Sequence, residues 1–260
     1  MSNKRIMALS AMTALFSVVW GNAQAHTRFE IAATNEGVRT DNNVMVPHGC
    51  SEKPVIGQAL VFPQVTTALV DASPDVNATL TTASFARVDV PATNFISRIT
   101  VAGILSRDSF DTNELIYDDA NNPIGAWWAG GKIPASKWVG KQPIRIDAIS
   151  IVPASCARTV IVVPAIANVC EVTSLNEING KDPDGTTNVD LWTAPDAGHP
   201  NYDGAAWNYP APYKVNRNLE TNPLPASCGD GIAVRIYPSA AQLDRDMPVK
   251  YNGEQIWPKP

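Results

Sequence analysis

Histidine is scarce in this chain. The 260 residues hold three, His26, His48 and His199, too few for a centre built from several internal imidazoles. There is no Lys/Arg run, and acidic residues outnumber basic ones for a formal charge of −5. That balance excludes the basic footprint of nucleic-acid or anionic-membrane binding. Beyond residue 25 no stretch approaches the ~20 apolar residues of a membrane helix. No C-x-x-C pair exists, so a thiolate metal site lacks its usual spacing. Neither G-x-S-x-G nor H-E-x-x-H occurs, which removes the commonest hydrolase signatures. No long segment has a 3.6-residue apolar period, so long amphipathic helices are not expected.

What is present begins at the N-terminus. Residues 1–25 read as a secretory signal peptide. Lys4 and Arg5 form the positive region, residues 6–20 the apolar core, and Ala23-Gln24-Ala25 the small-x-small cleavage site. Cutting there removes 25 of 260 residues and leaves 235; losing Lys4 and Arg5 takes the formal charge from −5 to −7. It also makes His26 the first residue. A terminal histidine offers its α-amine and its imidazole Nδ1 to one metal as a chelate, which suits Cu(II). An internal histidine cannot do this, because its backbone nitrogen is an amide. Glu30 shares the strand face of His26 if the terminus is extended. At about 3.3 Å per residue the two lie roughly 13 Å apart, so Glu30 needs a bend to reach the same ion.

The four cysteines, Cys50, Cys156, Cys170 and Cys228, form an even set in an exported chain and predict two disulfides, with three connectivities open. Short β-rich apolar runs at 55–62, 65–70, 85–90, 95–105, 144–152, 159–163 and 232–237 predict an antiparallel β-sandwich, all-β. Ile144, Ile146 and Ala148 should share one face, with Arg145 and Asp147 on the other. Val234 and Ile236 should oppose Arg235 and Tyr237. Asn121-Asn122-Pro123, Asp182-Pro183-Asp184-Gly185 and Asn252-Gly253 read as turns. The Asp182–Gly185 stretch does not have the spacing of a calcium loop, and Asp118 and Asp119 read as solvated. Residues 26–195 form the expected sandwich domain. Residues 196–260, poor in β-branched runs, are expected to be a loop-rich extension packed on it.

Among the remaining candidates, His48 sits in a Val46-Pro47-His48-Gly49-Cys50 turn, where it reads first as structural and second as an alternative metal ligand. His199, in Gly198-His199-Pro200, reads as part of an exposed loop. Trp127 and Trp128 are adjacent, so in a strand they face opposite sides, one into a core and the other available to cover a site.

Three ordered segments carry a family resemblance: His26-Thr27-Arg28-Phe29-Glu30, then Val46-Pro47-His48-Gly49-Cys50, then Trp128-Ala129-Gly130-Gly131-Lys132-Ile133-Pro134. Over about residues 26–195 the chain resembles the YcnI-like family of exported copper-binding proteins, with Cys170 and Trp192 matching a late Cys and Trp. It departs from the pattern around residues 110–123 and beyond 195. The resemblance implies a cupredoxin-like or fibronectin-like β-sandwich with one Cu(II) in a monohistidine brace. It assigns the His26 amine and imidazole as nitrogen ligands and Glu30 as the carboxylate. Trp128 becomes the aromatic near the metal, with Trp127 second.

Together these readings predict a periplasmic or secreted Cu(II)-binding protein for copper acquisition, delivery or storage. Its partners are the copper ion and another copper-handling protein, without catalysis, nucleic acid or a membrane span. Two other classes stay open. One is a copper monooxygenase, which wants a second His. The other is a metal-free module using Trp192, Tyr202, Trp207, Tyr209 and Tyr213 as its contact surface.

Overall fold

The apolar runs become strands, and the strands assemble into sheets that share two cores. The computed structural model describes residues 26–78, 84–174, 188–202 and 211–260. The expected signal segment, the Asp182–Gly185 turn, Trp207 and Tyr209 lie outside them. A four-stranded sheet has the order β1 (Arg28–Phe29), β3 (Thr40–Val46), β10 (Gly140–Ile146), β7 (Val101–Gly103). A five-stranded sheet runs β13 (Val189–Trp192), β12 (Ala165–Val169), β4 (Val55–Val61), β9 (Pro123–Ile133), β8 (Thr112–Tyr117). A six-stranded sheet runs β2 (Ala33–Asn35), β14 (Tyr213–Asn216), β11 (Ala157–Val162), β15 (Ile232–Tyr237), β5 (Leu69–Ser73), β6 (Ala86–Arg87). A hairpin of β16 (Val249–Tyr251) and β17 (Glu254–Trp257) completes the set. The fold is mostly β, as the sequence predicts. Among the strands of the described residues two pairings are parallel, β11 with β15 and β2 with β14.

One core is shared by all three large sheets. Phe29, Val44 and Ile144 come from the four-stranded sheet, Leu60, Trp128 and Ile166 from the five-stranded, and Val160, Tyr213 and Val234 from the six-stranded. The other face of the five-stranded sheet is buried too. Ala59, Val61, Trp127, Ala167 and Leu191 pack against Leu243, Met247, Val249 and Trp257. Burial on both faces explains why residues 59–62 and 165–167 are continuous apolar runs rather than alternating ones. The Trp127-Trp128 doublet straddles this sheet as the sequence predicts, Trp127 in the outer core and Trp128 in the inner.

The cover on the outer face is the C-terminal segment. The apolar run 232–237 becomes β15 as the sequence predicts; the rest of the segment reads as loop, yet it supplies β14 inside the six-stranded sheet, helix α1 (Ala240–Asp246) and the β16–β17 hairpin. The Ser239 side chain caps α1 by accepting from the Gln242 N–H. Asn252 and Gly253 both take positive φ, 51° and 80°, as a two-residue hairpin turn requires. Cys156–Cys228 ties this segment to the start of β11, and Cys50–Cys170 ties the turn before β4 to the end of β12.

Elsewhere pattern and structure part. Only 101–103 of the run 95–105 is strand, and only 86–87 of 85–90. Phe95, Ile96 and Ile99 are nonetheless buried, because irregular backbone can deliver apolar side chains to a core as well as a strand can. Ile144 and Ile146 face inward while Ala148, beyond the strand end, is exposed. Arg235 and Tyr237 are buried opposite Val234 and Ile236. There Asp71 accepts from Arg87 Nε at 2.8 Å, Arg235 Nε at 2.6 Å and the Tyr237 hydroxyl at 2.9 Å. This pairing satisfies a carboxylate that burial would otherwise penalise heavily.

Gly49 is required by close approach. A Cβ there would lie 1.9 Å from the Lys53 carbonyl oxygen and 3.2 Å from the Ala135 Cα. Gly49→Ala is therefore expected to destabilise the protein by about 3 kcal/mol, the upper range for an overpacked backbone site. Urea unfolding of the two forms measures it.

Candidate functional site

Strand register brings two of the three histidines to one end of the sandwich. β1 pairs antiparallel with β3, with Arg28 opposite Met45. Continuing that register two residues toward the N-terminus sets His26 level with Pro47, the residue before His48. His26 is exposed, and Thr27 and Phe29 point inward. Thr27 Oγ1 accepts from Asn168 Nδ2 at 2.7 Å. Asn168 Oδ1 in turn accepts from Gln58 Nε2 at 2.7 Å. This chain of bonds anchors the residue after His26 to the middle of the five-stranded sheet.

The aromatic beside His26 is Trp192. The two ring centroids are 5.2 Å apart with planes inclined by 54°. Trp192 is fully buried, and Asp190, two residues earlier on β13, shares its face and is also buried. Asp190 lies opposite Asn168 in the β12–β13 register, and its Oδ2 is 4.0 Å from His48 Nδ1. His48 Nδ1 contacts the Gly49 carbonyl oxygen at 2.6 Å. A carbonyl only accepts, so Nδ1 is the donor in this contact. Cys50–Cys170 and the Lys53 ammonium, 2.6 Å from Glu171 Oε2 and 2.6 Å from Asn188 Oδ1, brace the same end.

Glu30 has other partners. It accepts from Lys141 Nζ at 2.5 Å and Asn43 Nδ2 at 2.6 Å. The Lys141 hydrogen bond, aided by Asn43, holds its carboxyl below the ordinary glutamate range. Trp128 and Trp127 lie away from His26 along the sheet. Trp128 pairs in register with Gln58, two strands from Asp190 on β13 by way of Asn168 on β12. The Trp127 indole N–H donates to the Asp246 carbonyl at 2.9 Å, and Lys250 Nζ lies 5.0 Å from its ring centroid.

His199 is buried rather than exposed. Its Nδ1 accepts the Asn201 and Tyr202 N–H groups at 3.0 and 2.9 Å, and Nε2 donates to Asp244 at 2.7 Å. Nδ1 serves the local turn and Nε2 ties it to helix α1. Trp192, Tyr202 and Tyr213 are likewise buried, so these three aromatics form no contact surface. Asp118 receives the Ala120 and Asn122 N–H groups inside its turn, whereas Asp119 is exposed as the sequence predicts and meets Gln64 and Arg245.

Among the described residues no three His, Cys, Asp or Glu side chains converge tightly enough to hold a metal. A terminal-histidine chelate does not need such a cluster, since one residue supplies both nitrogens. Sequence pattern missed Asp190. The only available signal was the alternation in Val189-Asp190-Leu191-Trp192, which puts Asp190 on the face of Trp192.

The Glu30 environment is directly measurable. Its folded-state pKa is depressed, so its pairing stabilises the protein above the unfolded glutamate pKa and is lost as pH falls through the lower folded value. In a side-chain NMR titration Glu30 is expected to titrate below the other exposed glutamates. Lys141→Met should move it upward; an unmoved midpoint would show that Lys141 is not the cause.

Comparison with known proteins gives no counterpart: no family, no curated protein and no solved structure matches the chain.

Proposed function

We propose that the mature chain begins at His26 and is an exported copper-binding protein that carries Cu(II) as cargo, in acquisition, delivery or storage. The observation that carries this reading is the position of His26. It is exposed at the head of β1, its ring lies against Trp192, and register extends it to the level of the His48 turn. The α-amine and Nδ1 of one residue would form the chelate, and a carboxylate would complete a donor set suited to Cu(II). Two carboxylates are candidates. Glu30, assigned by resemblance, must first give up Lys141 and Asn43. Asp190 lies on the face of Trp192 and is already buried. The two disulfides fit an oxidising compartment, the kind an exported chain reaches. Among the described residues no helix is long and apolar enough to cross a membrane.

A second reading, a copper monooxygenase, gains support from one observation. His48 lies at the same end, and such enzymes use a second imidazole. Ascorbate-driven peroxide formation by the copper-loaded protein favours this reading, and its absence favours the carrier.

Protein processed to begin at His26 is expected to bind one equivalent of Cu(II) with a nitrogen-coupled type-2 EPR signal. A control extended by one residue should lack it, because its His26 nitrogen is an amide. Since an α-amine has a reference pKa near 7.7–8, binding releases a proton and weakens as pH falls. His26→Ala is expected to cost more than about a hundredfold in affinity, or about 3 kcal/mol. Equal binding by the extended control would reject the site. Bound Cu(II) should also quench Trp192, so Trp192→Phe reduces quenching while one equivalent still binds. Glu30→Gln and Asp190→Asn then separate the two carboxylates by which one weakens binding.

A further inference from the structure

A second feature lies at the other edge of the five-stranded sheet, remote from His26. β8 and β13 are the two edges of that sheet, and Trp128 and Asp190 are three strand spacings apart, roughly 14 Å at about 4.8 Å per strand. Between β8 and β7, the exposed edge of the four-stranded sheet, is a cavity of about 210 Å³. Trp128, Leu115 and Ile144 line it, and Leu105 stands at its lip. Both bounding strands are edges, so they can part slightly without breaking a ladder hydrogen bond.

Three observations point to a small occupant. Leu105 is 90% exposed, an extreme value for a leucine, and it borders an apolar cavity that a bound molecule would extend over it. Two residues of the lining carry hydrogen-bonding groups with no side-chain hydrogen bond among the described residues, Trp128 with its indole N–H and Asn113 with its amide. The volume also limits size. A dry apolar cavity of about 150 Å³ holds benzene, so about 210 Å³ holds one ring with a small substituent. The Glu114 carboxylate belongs to the same lining and opposes an anionic ligand.

From these we infer that the β7–β8 cleft is a binding site for a small neutral aromatic molecule bearing one hydroxyl or carbonyl. Its ring packs on Trp128 and Leu115 beneath Leu105, and its polar group meets the Trp128 N–H or the Asn113 amide. This site is independent of copper.

The test uses p-cresol as probe and the full mature chain without added metal. Calorimetry together with indole N–H NMR is expected to show one saturable site that shifts the Trp128 resonance. Gly103 lines the cavity, and a Cβ there would lie 3.5 Å from Leu115 Cδ2, an ordinary contact. Gly103→Leu should therefore fold and fill the space, weakening p-cresol at least tenfold. Leu105→Ser, at an exposed position, should weaken it severalfold with an unchanged Tm, and this variant decides the matter should Gly103→Leu fold poorly. Benzoate should bind at least tenfold more weakly than p-cresol. Absence of saturable binding, or equal binding by both variants, overturns the inference. A concentration-dependent dimer abolished by Gly103→Leu, with no p-cresol binding, assigns the cleft to a second copy and overturns it equally.

Discussion

A β-sheet buried on both faces constrains most of this molecule. The five-stranded sheet has the shared core on one side and the C-terminal segment on the other. Its central strands are largely buried, so their backbone groups pair within the ladder and most of their side chains are apolar or hydrogen-bonded. That requirement explains the apolar runs in β4 and β12. It explains why adjacent tryptophans are tolerated at 127 and 128, one for each core. It also makes the C-terminal segment indispensable, because without α1 and the β16–β17 hairpin Ala59, Val61 and Leu191 would face solvent.

The same constraint shapes the candidate site. Gln58 and Asn168 sit in that sheet pointing into the inner core, where an amide is costly unless bonded. Gln58 Nε2 donates to Asn168 Oδ1 and Asn168 Nδ2 donates to Thr27 Oγ1, while Gln58 Oε1 has no partner among the described residues. The position of Thr27 is thereby set by a buried polar chain, and His26 follows it at the surface. Thr27 is held by the interior, and the ring of His26 rests on Trp192. Cys50–Cys170 holds the His48 turn against the same end, so the tether and the disulfide act together on one small region.

Charge is managed differently on the six-stranded sheet. Arg87, Asp71 and Arg235 lie opposite one another across β6, β5 and β15, and Tyr237 closes the set. Arg217 is buried with no carboxylate among its partners: it donates to the carbonyls of Pro153, Ser155, Ala157 and Asn222. Arg217 thereby braces the backbone next to Cys156, and the Asp71 cluster accounts for Arg235, a charged strand residue that alternation alone would place in solvent.

Fold class, the two disulfides, the turns at Asn121-Asn122 and Asn252-Gly253, and the opposed faces of Trp127 and Trp128 were legible in the sequence. Each follows from local chemistry: period-two patterning, an even cysteine count, residues that tolerate positive φ, and side-chain alternation along a strand. Other features were decided only by tertiary structure, because they depend on which strands meet. The disulfide partners, the parallel β11–β15 pairing and the integration of residues 213–257 all require non-local register. So does the proximity of His26 to Trp192, a residue 166 positions away in the chain, and the engagement of Glu30 by Lys141. His199 shows the limit most simply. Gly198-His199-Pro200 has the composition of an exposed loop, yet its imidazole is buried because two backbone N–H groups and a helix carboxylate converge on it, and no short-range pattern records that convergence.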